Sequence, residues 1–146
     1  MNSRFTLLPS EVVRICKMRP TVSELRLIDL MRDYRAIRKA YFGRSVPAVE
    51  EMILRFLPRH EISRLSGYDD DHTDGLSSFG KFHGLPCPKS ILLADDLKVA
   101  ETRITLLHEM AHLKVDLKCG RCMGHGETWN KEMRRLAKVK ALDNWW

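Results

Sequence analysis

The segment His108-Glu109-Met110-Ala111-His112 lies inside a run whose apolar residues recur at helical spacing, and it constrains the chain more than any other feature. From Glu101 to about Leu117, Ile104, Leu107, Ala111 and Val115 form one apolar stripe, widened by Leu106, Met110 and Leu113. That pattern predicts a helix with a buried face. On such a helix His108 and His112, four residues apart, face the same side one turn apart. Two imidazoles placed this way can reach one zinc ion at about 2.0–2.1 Å each. Glu109 projects near the same opening, where a carboxylate moves protons and does not bind the metal. The bland alternative is a helix with two unrelated histidines. The amphipathic setting and a third ligand candidate downstream count against it.

A catalytic zinc takes three protein ligands and keeps one open position. A longer signature that needs Gly three residues and His six residues after His112 is absent, because Val115 and Lys118 stand there. His125 is the preferred third ligand. It stands between Gly124 and Gly126 at the mouth of the next helix, where glycine lets the backbone fold close to an ion. Glu132 on that helix is the rival, and Glu127 reads as a first-turn carboxylate that stabilises the helix start. Cys119 and Cys122 permit a different site: with His108 and His112 they would close a four-ligand structural zinc. That arrangement leaves Glu109 and His125 without a purpose.

The rest of the chain reads as an α+β pattern of one domain, with a core of about residues 21–141. Thr21 to Phe42 predicts a helix through Leu25, Ile28, Leu30, Met31, Tyr34, Ile37, Ala40 and Tyr41, capped by Thr21 or Ser23 and ended by Gly43. Met52 to Leu57 reads as a strand stopped by Pro58, with a short helix as the rival. Ser66 to Ser78, rich in Gly, Asp and Ser, reads as a loop or turn. Lys81 to His83 and Ser90 to Leu93 read as short strands. A last helix spans about Glu127 to Ala141, with Trp129, Met133, Leu136 and Ala137 on its buried side.

At this point the residues resemble the SprT-like (Spartan-type) zinc metallopeptidases. The likeness rests on His108, Glu109 and His112, followed by Gly124-His125-Gly126 and by Trp129, an aromatic expected to pack back on the site. It extends upstream to Ala40-Tyr41-Phe42-Gly43, to Gly80-Lys81-Phe82-His83-Gly84 and to Ile91-Leu92-Leu93, covering about residues 25–140. The resemblance implies a compact zincin-like fold, Zn2+ held by His108, His112 and His125, and peptide hydrolysis with Glu109 as general base and acid. It implies a protein or peptide substrate, and for some family members a protein attached to DNA.

The net charge of +6 would favour an anionic surface. Solubility is the simpler reading, because no aromatic ladder accompanies the charge. Lys131, Arg134, Arg135, Lys138 and Lys140 nevertheless make the last helix basic, with Lys114, Lys118 and Arg121 nearby. No stretch approaches the roughly 20 apolar residues of a membrane span. Met1 to Pro20 does not read as a signal peptide, so the expectation is a cytoplasmic protein with reduced thiols at Cys16, Cys87, Cys119 and Cys122. Asp70, His72 and Asp74 hint at a cation loop, but Lys81 stands where a bidentate Glu is needed. His72 and His83 could approach a zinc from the sheet side, although surface or hairpin roles are the favoured reading, and Tyr68 is a candidate for polarising a substrate carbonyl. Ser90 to Ala94 is either an edge strand that binds a peptide by main-chain pairing or a buried structural strand. Trp145 and Trp146 are expected to pack on the domain or line an interface.

Overall fold

A computed structural model describes residues 8–67, 73–82, 85–86, 88–121 and 123–141. The expectations for Tyr68, His72, His83, Cys87, Cys122, Trp145 and Trp146 fall outside these residues.

The elements are α1 (Pro9–Lys17), α2 (Glu24–Ile37), β1 (Ile53–Leu57), α3 (Arg59–Ser66), β2 (Gly75–Ser78), β3 (Lys81–Phe82), β4 (Leu85–Pro86), β5 (Ser90–Ala94), α4 (Val99–Cys119) and α5 (Glu127–Lys138). The expected α+β layout holds. One sheet has the order β1-β5-β2, with β1 parallel and β2 antiparallel to β5. The short strands β3 and β4 form a separate hairpin.

All five residues of β5 are buried, and they alternate between two cores. Ile91 and Leu93 join Phe56, Leu30, Tyr34, Leu106, Leu107, Met110 and Leu136, the face covered by α2, α4 and α5. Leu92 and Ala94 join Leu57, Ile15 and Ile62, the face covered by α1 and α3. Side chains point to opposite faces at successive strand positions, so a strand covered on both sides must be apolar throughout. Ser90–Ala94 is therefore the buried central strand, not an edge. The free edges of the sheet among the described residues are β1 and β2.

Several elements depart from expectation for identifiable reasons. Ser23 caps α2, its hydroxyl accepting from the Arg26 amide at 3.2 Å. The helix then loosens into a π-helical turn over Arg38–Phe42, which ends at Gly43. Its buried face is Leu30, Tyr34 and Ile37, whereas Leu25 (73% exposed) and Ile28 (50%) point outward. Arg26 explains the rotation: its guanidinium donates to the Asp95 and Leu97 carbonyls and lies 4.3 Å over the Phe56 ring. This docks the adjacent face of the helix on β1 and on the turn before α4. The first helix, α1, was missed because its inward side chains are few. Ile15 is its buried residue, and Glu11, Arg14, Glu61 and Arg64 tie it to α3 by ion pairs. Helix α3 lies almost wholly between the expected strand and the expected loop, where the sequence predicts no element, and β2 falls inside the 66–78 stretch expected to be a loop or turn. Val49–Glu51 is a short 3-10 turn leading to β1, and Met52 precedes the strand itself.

Candidate metal centre

Helix α4 extends two residues beyond the expected span at each end and is 21 residues long. It is buried on most sides, with Leu106, Leu107, Met110, Ala111, Leu113 and Val115 in the core. Ile104, expected on the buried stripe, is 46% exposed. It lies one turn before His108 on the strip of the helix left open. That strip continues through His108 and His112, both partly buried.

Gly120 ends α4 in the left-handed conformation (φ +70°), its amide donating to the Asp116 carbonyl at 2.8 Å. The chain then doubles back. Met123 donates its amide to the Asp116 carboxylate at 2.8 Å, and Gly124 adopts φ +60°, a region that favours glycine. His125 follows, and Gly126 is the N-cap of α5. Of the two glycines, Gly124 is the one the turn requires. A Cβ on Gly126 would meet only the Met123 carbonyl at an ordinary 3.6 Å.

This return path brings three ring nitrogens together. The His112 Nε2 lies 3.1 Å from the His108 Nε2 and 2.9 Å from the His125 Nε2. An imidazole nitrogen offers one in-plane lone pair or one hydrogen, so His112 Nε2 cannot satisfy both neighbours by hydrogen bonding. A cation between the three resolves the conflict. Tetrahedral bonds of about 2.0–2.1 Å place ligand nitrogens about 3.3 Å apart, close to the observed spacings. Burial pushes the His108 imidazole down to about 4, helped by the neighbouring His125. Burial and both neighbouring histidines push His112 down to about 3. Both rings are neutral at pH 7, the form that donates to a metal. The residues therefore fit a metal ion, and among the described residues these three histidines are the cluster that can hold one.

Trp129, one turn into α5, backs the cluster. Its ring lies 5.2 Å from His112 in a nearly stacked arrangement, 5.2 Å from His108 and 4.5 Å from His125. The indole Nε1 is buried with no hydrogen-bond partner among the described residues, so ring packing holds it there.

Glu109 points into the sheet side of α4 and is only 6% exposed. It is hydrogen-bonded to the Ser77 side chain on β2. Desolvation pushes its carboxyl up to about 7, Asp116 adds to the rise, and the Ser77 hydrogen bond opposes it. The close approach depends on Gly75. A Cβ there would meet Thr105 Cγ2 at 2.9 Å, Leu93 Cδ2 at 3.0 Å and Glu109 Cγ at 3.2 Å.

The rival ligands are occupied elsewhere. Buried Glu132 pairs with Lys114 at 2.6 Å and Arg135 at 2.6 Å, and Arg135 also donates to the Tyr41 carbonyl. Burial pulls the Glu132 carboxyl upward, but these two cations outweigh it and hold it below the usual range. Glu127 is exposed in the first turn of α5 and pairs with Arg134. Cys119 is an exposed free thiol outside the cluster. Leu136 alone of the expected α5 stripe is fully buried, with Met133 partly so and Ala137 exposed.

Sequence reasoning missed Gly75, Ser77 and Asp116. The first two lay in a stretch whose Gly and Ser content signals a turn. Asp116 had a signal, its spacing of four after His112 on the same helix face. No helix among the described residues is long and apolar enough to cross a membrane. No curated protein and no solved structure matches the chain. The model of the SprT-like family matches residues 89–144, the stretch that runs from just before β5 through α4, the three histidines and α5, and this match supports the assignment of the chain to the SprT-like family.

Proposed function

We propose that the chain is a zinc-dependent metallopeptidase. The observation that carries the reading is the convergence of three imidazole nitrogens, two of them from the helix that also carries a buried carboxyl. His108, His112 and His125 would hold the ion. A bound zinc supplies a Lewis acid that polarises a carbonyl and lowers the pKa of a water to near 7. Glu109 supplies the proton traffic. A carboxyl poised at about 7 exchanges a proton readily at neutral pH, taking one from the attacking water and giving it to the leaving amine. Ser77 holds the carboxyl in one orientation, and Trp129 fixes the ring planes of the ligands. The substrate is a protein or peptide. The edge strand β2, packed against α4 beside Glu109, offers main-chain groups to an extended segment.

Replacing Glu109 by Gln tests this. The variant is expected to keep its zinc and to lose about 10²–10⁴-fold in cleavage of an unfolded protein substrate. A non-catalytic module stabilised by zinc would show no Glu109-dependent cleavage at all. Such a module, or a peptidase acting on DNA-bound protein, would use the exposed Lys131, Arg134 and Lys138 of α5. DNA affinity that falls steeply with salt, and falls further when Lys131 and Lys138 become Gln, is the expected signature of that contact. Binding that ignores both changes removes DNA from the proposal.

A further inference from the structure

Asp116 is only 6% exposed, on the same face of α4 as His108 and His112. Among the described residues its carboxylate is met by a backbone amide, that of Met123 at 2.8 Å, and by no Lys or Arg. Burying a carboxylate without a cation is unfavourable, and here burial raises its pKa despite the Met123 bond. Its one partner lies two residues before His125. The intervening residue is Gly124, whose left-handed backbone completes the reversal. The carboxylate thus ties down the segment that delivers the third imidazole, while the backbone carbonyl of the same residue holds the helix end through Gly120.

We infer that Asp116 is a positioning residue for the metal centre: by holding the Met123 amide it presets His125 against His112, so that the third ligand is in place before the ion arrives. The inference rests on the three-histidine metal reading. A ligand delivered by a loop that must first be ordered binds more weakly, because fixing each backbone residue opposes binding. Groups that orient metal ligands typically contribute 10–100-fold to affinity.

The test is zinc affinity, measured by competition with a chromophoric chelator on the full chain, with thermal unfolding of the zinc-free protein recorded alongside. Asp116→Ala is expected to lower zinc affinity about ten-fold or more. Asp116→Asn retains a carbonyl oxygen for the Met123 amide and is expected to stay within about three-fold of the parent. In a His125→Ala background the Asp116→Ala change is expected to add little further loss, because the two act through one ligand. An Asp116→Ala protein that melts earlier but binds zinc as well as the parent would overturn the inference, as would equal losses with and without His125. Amide exchange at Met123 in the zinc-free parent keeps the question decidable if Asp116→Ala does not fold. Slow exchange is expected, and exchange as fast as an open loop refutes the tie. A parent chain that takes up no zinc defeats the metal-centre reading itself, whereas the Met123 exchange still reports on the tie.

Discussion

The buried carboxyl of Glu109 makes a quantitative claim about the zinc-free protein. In the unfolded chain this group titrates near its ordinary value of 4.5, and in the folded chain near 7. Its folded pKa is raised, so the folded state binds the proton more tightly. The associated stability is fully present below pH 4.5 and is lost as pH rises through 7. Between pH 5 and pH 8 the two titration curves differ by roughly two pH units of proton affinity, or roughly 2–3 kcal/mol at 1.36 kcal/mol per unit. Glu109→Gln keeps the shape and an acceptor for Ser77 but cannot ionise. Its stability relative to the parent is therefore expected to improve by that amount from pH 5 to pH 8. The assay is urea unfolding of both zinc-free proteins at the two pH values, read as a difference of differences. Groups common to both proteins then largely cancel, and any fixed effect of the amide drops out. The neighbouring Asp116, itself raised by burial, couples to Glu109 and broadens the transition. Parallel stability curves for the two proteins would refute the claim that Glu109 is desolvated, and with it the argument that this group is tuned for proton transfer at neutral pH.

Other perturbations test the site and the packing around it. His125→Ala is expected to weaken zinc binding by roughly a hundred-fold or more, beyond the usual effect of an orienting group, as measured by chelator competition. Gly75→Ala puts a methyl within 2.9–3.2 Å of Thr105, Leu93 and Glu109. Overpacking costs about 1–3 kcal/mol, only partly offset by the roughly 0.4–1 kcal/mol that alanine recovers in chain entropy, so urea unfolding should show a net loss. On α2, Leu30→Ala is expected to cost about 2–5 kcal/mol, whereas Leu25→Ala should stay within about 0.5 kcal/mol. Equal losses would mean that the helix faces the other way.

The site was more legible in the sequence than the fold was. Helical spacing pairs His108 with His112 and a glycine-flanked return before a helix marks His125, whereas only the fold shows that the three rings converge and that Glu132 is paired with Lys114 and Arg135 instead. The N-terminal half resisted for physical reasons. Helix α2 carries apolar residues on more than one face, and periodicity alone could not show that Arg26 and Phe56 decide its rotation. Helix α1 is read only through its ion pairs with α3, which are long-range and leave no local pattern. The strand β2 is short, begins with glycine and contains two serines, a composition that suits a turn. It becomes a strand because β5 offers a paired edge and because α4 needs a residue without a side chain above Thr105 and Glu109. Position 75 is thus read from the tertiary contact, not from its neighbours in sequence.

One physical cause, burial, dominates the protonation of His108, His112 and Glu109. Burial against α4 opposes charge of either sign, so it moves the histidines down, to about 4 and about 3, and the glutamate up, to about 7. For the histidines the folded pKa lies below the unfolded 6.5, so the fold is favoured above 6.5 and loses that stability as pH falls through 4 and 3. Near pH 7 the His108 and His112 imidazoles have free lone pairs and Glu109 is near its midpoint. A dication among the three rings would act on Glu109 in the opposite sense to burial, lowering its pKa and shifting it toward the base form. Burial alone would leave a carboxyl half protonated, and the ion alone would leave one fully ionised and weakly basic. The position of Glu109, next to His108 in sequence but turned into the sheet against Ser77, sets these influences against each other, and that balance would suit the proton transfers of the proposed peptide hydrolysis.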